Sequence, residues 1–356
     1  PAAGAACRAD AMGYLRRLGI AILPAALVHT FYGVASDFVV GIKVRRSMNC
    51  DEPELHVPVE EEQILATLKE LHVVYSTDGR DLVGLVVSMV SLARHVSEPG
   101  NVVISIIAPD AMMQHVDEAV RCFKKELRDE LPVLPVVSAL PERPCNLSDG
   151  APTGALYQEN CSQRFVRYCL QQYLPTAPRA LWVDTDIVFR DDVRKLYTMR
   201  MQHPVAAALY DPYVSLREQG SWVEGFPKIG LHSQHLDPFL ESQPLNAGLM
   251  VLDLTKWSSG DVTDALFRWL GALENKLCLN QLVLNIFFRS GFDLLDWRWN
   301  VMVPRRVGLP SLCLEQARAL HWAGHLKHWI PDGWWMHREV AEPHYPRRCS
   351  EPGGAL

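Results

Sequence analysis

The sequence is short of three features: cysteine, a strong excess of charge of either sign, and long uncharged runs. Nine cysteines in 356 residues are too few for a disulfide scaffold. The net charge is −6 and the pI about 6.1, which gives no support to nucleic-acid binding through a basic surface. A mean hydropathy of −0.02 argues against a polytopic membrane protein.

What is present is an ordinary globular composition, with 48% hydrophobic and 21% charged residues. This composition excludes a disordered, collagen-like or coiled-coil chain. The length suits one large α/β domain with appendages, and no internal repeat or low-complexity segment stands out.

The single long uncharged run extends from Leu18 to Ser36, after two arginines and before Asp37. About 20 apolar residues span a bilayer as a helix, so the run is just long enough. It predicts a signal anchor within an N-terminal region, residues 1–45. A cleaved signal peptide, with small residues at 33–35 as its cleavage site, and a buried soluble helix remain open.

The charged, proline-spaced residues 46–69 predict a stem or linker. If the chain enters the secretory pathway, Asn146 and Asn160 lie in glycosylation sequons. The odd number of cysteines leaves at least one thiol unpaired within the chain, and the pairing cannot be deduced from sequence.

A rhythm of strands and helices begins after the stem and predicts an α/β fold, with a mostly parallel sheet covered by helices on both faces. Ligands then bind beyond the carboxyl ends of the strands. The predicted strands are 72–76, 102–108, 133–138, 180–189, 205–210, 248–254, 294–299 and 320–322. The predicted helices are 82–95, 112–130, 158–174, 262–274 and 280–288.

The segment 181–189, LWVDTDIVF, is the most informative one. Alternate residues of a strand point to the same side, so Asp184 and Asp186 would project together. Adjacent carboxylates repel each other unless a cation lies between them, and oxygen ligands of this kind favour Mg²⁺ or Mn²⁺. The structural alternative is a pair of solvated aspartates in a turn at the end of a strand.

Two enzyme classes use such a pair of aspartates: metal-dependent nucleotide-sugar transferases and aspartyl-phosphate hydrolases. In the hydrolases the pair should follow the first strand of the domain. Here several strands and helices precede it, and no later acidic pair at a strand end is evident. The pattern therefore favours the transferase.

A second group of residues lies in the segment 321–329, HWAGHLKHW. His321 would complete a site with two aspartates and would favour Mn²⁺ over Mg²⁺. Gly324 would let the backbone approach a phosphate closely, and Lys327 would supply a point charge to it. Taken singly, each residue is equally typical of an ordinary surface or turn.

Together, these segments resemble the family 8 glycosyltransferases, which are retaining enzymes of GT-A fold (Rossmann-like). The nearest likeness is to glycosyltransferase 8 domain-containing and galacturonosyltransferase-like members. The resemblance covers residues 70–332, with 333–356 as a C-terminal tail. In family order its motifs are LWVDTDIVF, LNAGLMVLDLTKW, NQLVLNIFF, DWRWN and LHWAGHLKHW.

The resemblance implies a role for individual residues. Asp184, Asp186 and His321 match the Mn²⁺ ligands, with Mg²⁺ as the alternative ion. The catalytic set would be Gln281, beside the anomeric carbon, with Asn280 and Asp186. The remaining matches fall where the family binds the UDP-sugar: Val74, Tyr75, Thr77 and Asp78 at the uridine and ribose; Arg167, Asp184 and Thr185 near the donor; Asn246, Ala247 and Gly248 in the loop at the donor sugar; and Gly324 and Lys327 at the diphosphate.

Two departures from the family pattern stand out. The family usually has Asp-Gln where this chain has Asn280-Gln281, a change expected to alter donor choice or weaken activity. The family's Lys-Pro-Trp is here Lys327-His328-Trp329, a change expected to affect only the loop.

The implied reaction transfers a hexosyl or pentosyl group from a UDP-sugar to a glycan, glycoprotein or glycolipid. Asn280 and Gln281 are poor nucleophiles, so we expect attack on the same face as the departing phosphate, which gives an α-linkage. The alternative is a weak or inactive descendant that binds a nucleotide sugar or glycan.

The donor sugar stays open, and residues 211–243 are expected to contact the acceptor. A homodimer is also compatible with the resemblance. The expected location is the Golgi or endoplasmic reticulum membrane, with a single span and a lumenal catalytic domain. Secretion or lumenal release after signal cleavage is the alternative.

Overall fold

The computed structural model describes residues 54–55, 58–60, 62–148, 165–209, 241–272, 280–303, 311–324, 327–330 and 337–349. The predicted signal anchor, residues 211–240 of the predicted acceptor loop, and the first part of the predicted helix 158–174 lie outside these ranges. Among the described residues, no helix is both long and apolar enough to cross a membrane.

The large sheet has seven described strands in the order β3-β2-β1-β4-β7-β6-β8. All of them run in one direction except β7, which pairs antiparallel with β4 and β6. The predicted mostly parallel sheet is confirmed. Its strands are β1 (Leu71–Ser76), β2 (Val102–Ala108), β3 (Val136–Pro141), β4 (Arg179–Val183), β6 (Val205–Leu209), β7 (Leu245–Asp253) and β8 (Asp293–Leu294).

A small sheet of three strands adjoins it, in the order β5-β10-β9. Its strands are β5 (Ile187–Phe189), β9 (Val301–Met302) and β10 (Ala319–His321). The helices in the described ranges are α1 (Glu62–Thr67), α2 (Leu82–His95), α3 (Met113–Leu127), α4 (Leu170–Tyr173), α5 (Arg194–Tyr197), α6 (Leu254–Ser259), α7 (Val262–Ala272), α8 (Asn280–Phe287), α9 (Ser311–Gln316) and α10 (Arg338–Ala341).

The central strands are largely apolar because both faces of the sheet are buried. Along β4, Leu181 and Val183 belong to one hydrophobic cluster, while Ala180 and Trp182 belong to another. The first cluster includes residues of α2 and α3, and the second includes residues of α7 and α8. The core therefore lies as two layers, one on each side of the large sheet.

The predicted continuous strand 180–189 is wrong, because the chain turns between the two sheets at residues 184–186. Ile187 N–H donates to Asp184 O at 3.3 Å, and β5 then pairs antiparallel with β10. In that register, Ile187 is opposite His321. The turn brings the two aspartates to the junction of the sheets, where His321 also lies.

Other predicted elements differ at their ends. The strand predicted at 133–138 is observed as Val136–Pro141. The one predicted at 294–299 is only β8, followed by a 3-10 turn at Trp297–Trp299, because the Asp296 side chain accepts from Arg298 N–H at 2.9 Å and caps that turn. Residues Val166–Cys169 form a 3-10 turn that precedes α4.

Segments at both ends of the domain pack against it. Glu60, from the predicted stem, forms a buried ion pair with Arg179 at 2.8 Å. After β10, residues 337–349 return to α3, where Cys349 forms a disulfide with Cys122. A second disulfide joins Cys145 to Cys169. The domain boundaries given above stay predictions.

Candidate active site

Three side chains converge where the two sheets meet: Asp184 and Asp186 from the turn after β4, and His321 from the end of β10. Each offers a ligand atom, and these atoms lie within 4.8 Å of one another. Asp186 and His321 are buried, whereas the Asp184 side chain is about a third exposed. The two aspartates and the histidine that the resemblance assigned to a metal are therefore together, with one open side.

A hydrogen bond orients the His321 ring. Its Nδ1 lies 2.8 Å from Asn300 Oδ1, an acceptor, so Nδ1 is the donor there, and its Nε2 lies 3.2 Å from Asp186 Oδ1. That carboxylate oxygen is buried and has no hydrogen-bond partner among the described residues. A carboxylate oxygen beside an imidazole nitrogen is a donor set that fits Mn²⁺ well.

Asp186 is held in its ionised form. Burial raises the pKa of this carboxyl group, but the neighbouring His321 and Lys327 lower it by more, so the pKa lies well below its usual range. Lys327 Nζ contacts Asp186 Oδ2 directly and donates to Trp322 O at 3.0 Å. A negative charge is therefore maintained at the centre of the cluster.

Arg167 is buried against Asp184. Its Nη2 lies 3.3 Å from Asp184 Oδ1, and its Nη1 donates to Ala247 O at 2.5 Å. The guanidinium group lies 4.3 Å from the centre of the Trp182 ring, whose Nε1 donates to the same Asp184 oxygen at 2.9 Å. The predicted basic residue near the donor is thus part of the site, oriented by strands β4 and β7.

Asn246, Ala247 and Gly248 belong to strand β7, so the predicted loop at this position is wrong. All three are buried, because β7 is the antiparallel strand next to β4. A Cβ atom at Gly248 would lie 2.3 Å from His321 Cε1. Glycine is therefore required here for the histidine ring to approach the strand.

Asn280 and Gln281 open helix α8 beside β7. Gln281 Oε1 accepts from Ala247 N–H at 3.3 Å, which links the helix to the strand that supports His321. Asn280 Oδ1 accepts from Gln281 N–H at 2.8 Å, and its carbonyl oxygen accepts from the Tyr168 hydroxyl group at 2.8 Å. The structure thus brings Gln281 to the site and directs the Asn280 side chain to the backbone at the start of α8.

The loop after β1 presents Thr77 and Asp78 differently. Thr77 is buried, whereas Asp78 is exposed and accepts from Arg80 N–H at 3.0 Å. Val74 and Tyr75 are fully buried in β1, and the Tyr75 hydroxyl group lies 3.0 Å from Ser88 Oγ. Their side chains belong to the core, and the expectation that these two residues help to bind the nucleotide stays a prediction.

Sequence reasoning missed Asp81. Its carboxylate accepts hydrogen bonds from the hydroxyl groups of Thr77 and Thr185, and so joins the loop after β1 to the turn that carries the aspartates. Burial raises the pKa of Asp81, while the two threonine hydrogen bonds oppose that rise. Its place directly before the apolar helix 82–95 was the available signal, since aspartate is favoured there as a cap.

The segment after β10 closes the site from another side. Gly324 is exposed, with φ of 95°, a conformation that favours glycine. The Trp329 ring packs on α2, where a Cβ atom at Gly84 would lie 2.3 Å from it. Lys327 is thereby held between a buried carboxylate and a packed indole.

Comparison with known proteins agrees with this geometry. A model of the family described as "Glycosyl transferase family 8" matches residues 31–332. The chain is similar to "Glycosyltransferase 8 domain-containing protein 1" of Danio rerio, with 24% identity over 290 residues that cover 73% of this chain and 74% of the relative. It is also similar to "Probable galacturonosyltransferase-like 2" of Arabidopsis thaliana, with 23% identity over 291 residues, 79% of this chain and 82% of the relative.

Among solved structures, the chain resembles the galactosyltransferase LgtC in complex with donor and acceptor sugar analogs. The TM-score is 0.53 at 18% identity, and the match covers 77% of this chain and 96% of that one. At this level of identity the likeness shows the fold, which is of the GT-A type.

Proposed function

The chain belongs to glycosyl transferase family 8, and we propose that it is a retaining enzyme that uses a UDP-sugar as donor and Mn²⁺ as cofactor. It transfers a hexosyl or pentosyl group to a glycan, glycoprotein or glycolipid, and the product is α-linked. The observation that carries this proposal is the convergence of Asp184, Asp186 and His321 at the junction of the two sheets. The family and the GT-A fold support the proposal that this cluster holds the metal of the donor site.

Asp184, Asp186 and His321 would hold the metal. Gly248 leaves room for the His321 ring. Asn300 contacts the Nδ1 atom of that ring and so leaves its Nε2 atom for the metal. When bound, a divalent ion supplies positive charge that stabilises a departing diphosphate. Mg²⁺ is the alternative ion, and the imidazole ligand favours Mn²⁺ over it.

Cationic side chains of the protein reinforce that charge. Arg167 is fixed on Trp182 and beside Asp184, and Lys327 lies beside Asp186. Donors aimed in advance at developing negative charge lower a barrier because they need no reorganisation during the reaction. We assign Lys327 and Gly324 to the diphosphate, and Thr77, Asp78 and Thr185 to the uridine side of the donor.

The stereochemical part of the proposal depends on Gln281 and Asn280. Neither amide is an effective nucleophile, and each already takes part in a hydrogen bond that orients it. Attack of the acceptor on the face that the diphosphate leaves then accounts for retention. An α-linked product from a UDP-α-sugar supports this route, and a β-linked product contradicts it.

A second candidate is a binding protein with little or no turnover. The observation that favours it is Asn280, which stands where the family pattern has a carboxylate and accepts a hydrogen bond from Gln281 N–H. The two candidates differ in UDP release: an enzyme releases UDP with Mn²⁺ and donor, whereas the binding protein holds the donor intact.

We also propose a lumenal location, by way of the predicted N-terminal segment 18–36 acting as anchor or cleaved signal. The disulfides Cys122–Cys349 and Cys145–Cys169 support it, because such bonds persist in oxidising compartments. Protease protection of the full chain in sealed microsomes tests this location, and complete digestion without detergent would contradict it.

The decisive experiment is a panel of UDP-sugars incubated with the purified chain and Mn²⁺, with UDP release and the linkage of the product measured together. Asp186→Asn removes a proposed metal ligand, and Asp117→Asn, an exposed carboxylate on α3, is the matched control. Release by the wild type and the control but not by Asp186→Asn supports the enzyme. Equal release by all three contradicts the proposed site.

A further inference from the structure

The C-terminal segment 337–349, here called the strap, is fastened to two helices of the domain. At its far end, Cys349 is bonded to Cys122 of α3. Just before it, the buried carboxylate of Glu126 accepts the backbone N–H groups of Arg347 and Arg348, at 3.1 and 3.2 Å. These contacts fix the strap independently of the candidate active site.

Nearer its start, the strap is tied to α2 and to the small sheet. Arg94 donates to Pro343 O at 2.7 Å. Ala341 is fully buried in the hydrophobic cluster that contains Val301, Leu320 and Trp322. The strap therefore covers the apolar side of the small sheet, whose middle strand, β10, carries His321.

Tyr345, in the middle of the strap, exchanges two hydrogen bonds with His328. Its hydroxyl group donates to His328 O and lies 3.0 Å from His328 Nδ1. A phenol has one hydrogen, so His328 Nδ1–H must be the donor of the second bond. Burial lowers the pKa of His328 to about 3, which is consistent with a neutral ring in this role.

His328 stands directly between two residues of the candidate site. Lys327 contacts Asp186, and the Trp329 ring lies on Gly84 of α2. The His328 ring is fully buried, with its centre 5.0 Å from that of Trp322 and 4.7 Å from that of Trp329. The backbone position of Lys327 therefore depends on how His328 is held.

The sequence explains why an external tie is needed here. The resembled family has proline between this lysine and tryptophan, and a proline ring fixes the backbone φ angle. His328 lacks that restriction. The two hydrogen bonds with Tyr345 restrict the same residue, and one of them is made to its backbone carbonyl group.

We propose that Tyr345 is a positioning residue for Lys327: by fixing His328, it holds the lysine ammonium group where the donor diphosphate binds, and so makes the strap part of the donor site. This proposal depends on the proposed function, since it assigns Lys327 to the diphosphate. Tyr345 itself contacts His328 and not Asp186 or His321 in the described contacts.

The test compares Tyr345→Phe with wild type for UDP affinity in the presence of Mn²⁺, by isothermal titration calorimetry. The phenylalanine removes one oxygen atom from a half-buried ring and leaves the packing in place. Two neutral hydrogen bonds are lost, so we expect UDP to bind roughly three- to tenfold more weakly. Unchanged affinity overturns the proposal.

Tyr173→Phe is the matched control. The Tyr173 hydroxyl group also exchanges two hydrogen bonds with one residue, the backbone N–H and carbonyl groups of Arg143, at 2.7 and 2.9 Å. It lies on α4, away from the strap. Both variants should lose thermal stability, but only Tyr345→Phe should lose UDP affinity. An equal loss of UDP affinity in both variants means a general structural effect and overturns the proposal.

A double-mutant cycle with Lys327→Ala separates positioning from any other role. If Tyr345 acts through Lys327, then Tyr345→Phe should change UDP affinity less than twofold once the lysine is absent. The same three- to tenfold loss in the Lys327→Ala background overturns the proposal.

A second way to loosen the strap is the double variant Cys122→Ser with Cys349→Ser. It should weaken UDP binding, but by less than Tyr345→Phe does. Wild-type UDP affinity in this double variant contradicts the role of the strap.

A wild-type chain that binds no UDP overturns the proposed function together with this inference. A wild type that binds UDP beside an unchanged Tyr345→Phe overturns the inference alone.

Discussion

The two sides of the candidate site are held in place by different means. On the carboxylate and imidazole side, His321 is at the end of a buried strand, pressed against Gly248 of β7 and bonded to Asn300. On the lysine side, Gly324 has open space beside it, and Lys327 depends on side-chain contacts and on the strap. Strand pairing thus fixes the proposed metal ligands, whereas distant segments fix the side that is proposed to bind phosphate.

The largest expected effect comes from the carboxylate and imidazole side. Asp186→Asn should lower UDP release with Mn²⁺ by more than about a hundredfold, because losing a direct ligand should cost more than the 10- to 100-fold typical of an outer-shell change. The effect is measured as the rate of UDP release, and Mn²⁺ affinity is measured by titration calorimetry. The exposed Asp117→Asn should leave both unchanged, and a variant that keeps wild-type Mn²⁺ affinity would remove Asp186 from the metal site.

Asn300 tests how far the rigidity depends on one hydrogen bond. Asn300→Leu removes the acceptor for His321 Nδ1–H at similar volume, and should weaken Mn²⁺ binding by about 10- to 100-fold. Asn300→Asp keeps an acceptor at that position and should bind Mn²⁺ more tightly than Asn300→Leu. Equal affinities for the two variants would show that the tautomer of His321 is set in another way.

Gly248→Ala and Gly324→Ala compare the two sides directly. The new methyl group at Gly248 would lie 2.3 Å from His321 Cε1, so this variant should lose about 1–3 kcal/mol of stability together with Mn²⁺ affinity. Gly324 has open space but a φ of 95°, so its variant should lose only about 1 kcal/mol and keep Mn²⁺ affinity. Urea unfolding and Mn²⁺ titration check both, and a reversed order would contradict the comparison.

Near neutral pH, the smallest effect is a pH dependence of the lysine side. Burial lowers the pKa of His328 to about 3, below the value near 6.5 of the unfolded chain. Below pH 6.5 the unfolded chain takes up a proton at this histidine that the folded protein does not. The free energy of unfolding is therefore unaffected by this group above pH 6.5, and it decreases as the pH falls towards 3, by up to about 1.4 kcal/mol per pH unit. His344 shifts in the same direction, to about 4. His328→Gln should flatten the fall in melting temperature between pH 6.5 and 5; an unchanged slope would contradict this assignment.

The first long helix of the domain and the strand that follows it were predicted with the observed bounds. Helix 82–95 and strand 102–108 coincide with α2 and β2, because long apolar runs bounded by polar residues leave few alternatives. Strand 180–189 failed for a physical reason: an apolar run continues on both sides of the two aspartates, and no local signal shows that its halves join different sheets.

The candidate site was also predictable only in part. The aspartate pair, His321, Arg167 and Lys327 were identified, and the structure brings them together. Asp81 and Asn300 were given no role, because each acts by hydrogen bonds to residues distant in sequence. Val74 and Tyr75 were placed beside the nucleotide, and the structure buries their side chains on opposite faces of β1.

The sequence by itself determined the alternation of buried strands and covering helices, and the short motifs that supply the ligand types. This follows from period-two packing, in which Val74 faces one hydrophobic layer while Val73 and Tyr75 face the other. Only the tertiary structure decided that β5 leaves the large sheet to pair with β10, which places His321 against Asp186, and that the strap reaches His328. Both depend on pairing between segments far apart in the chain, where the free energy comes from packing and hydrogen bonds that no local pattern encodes.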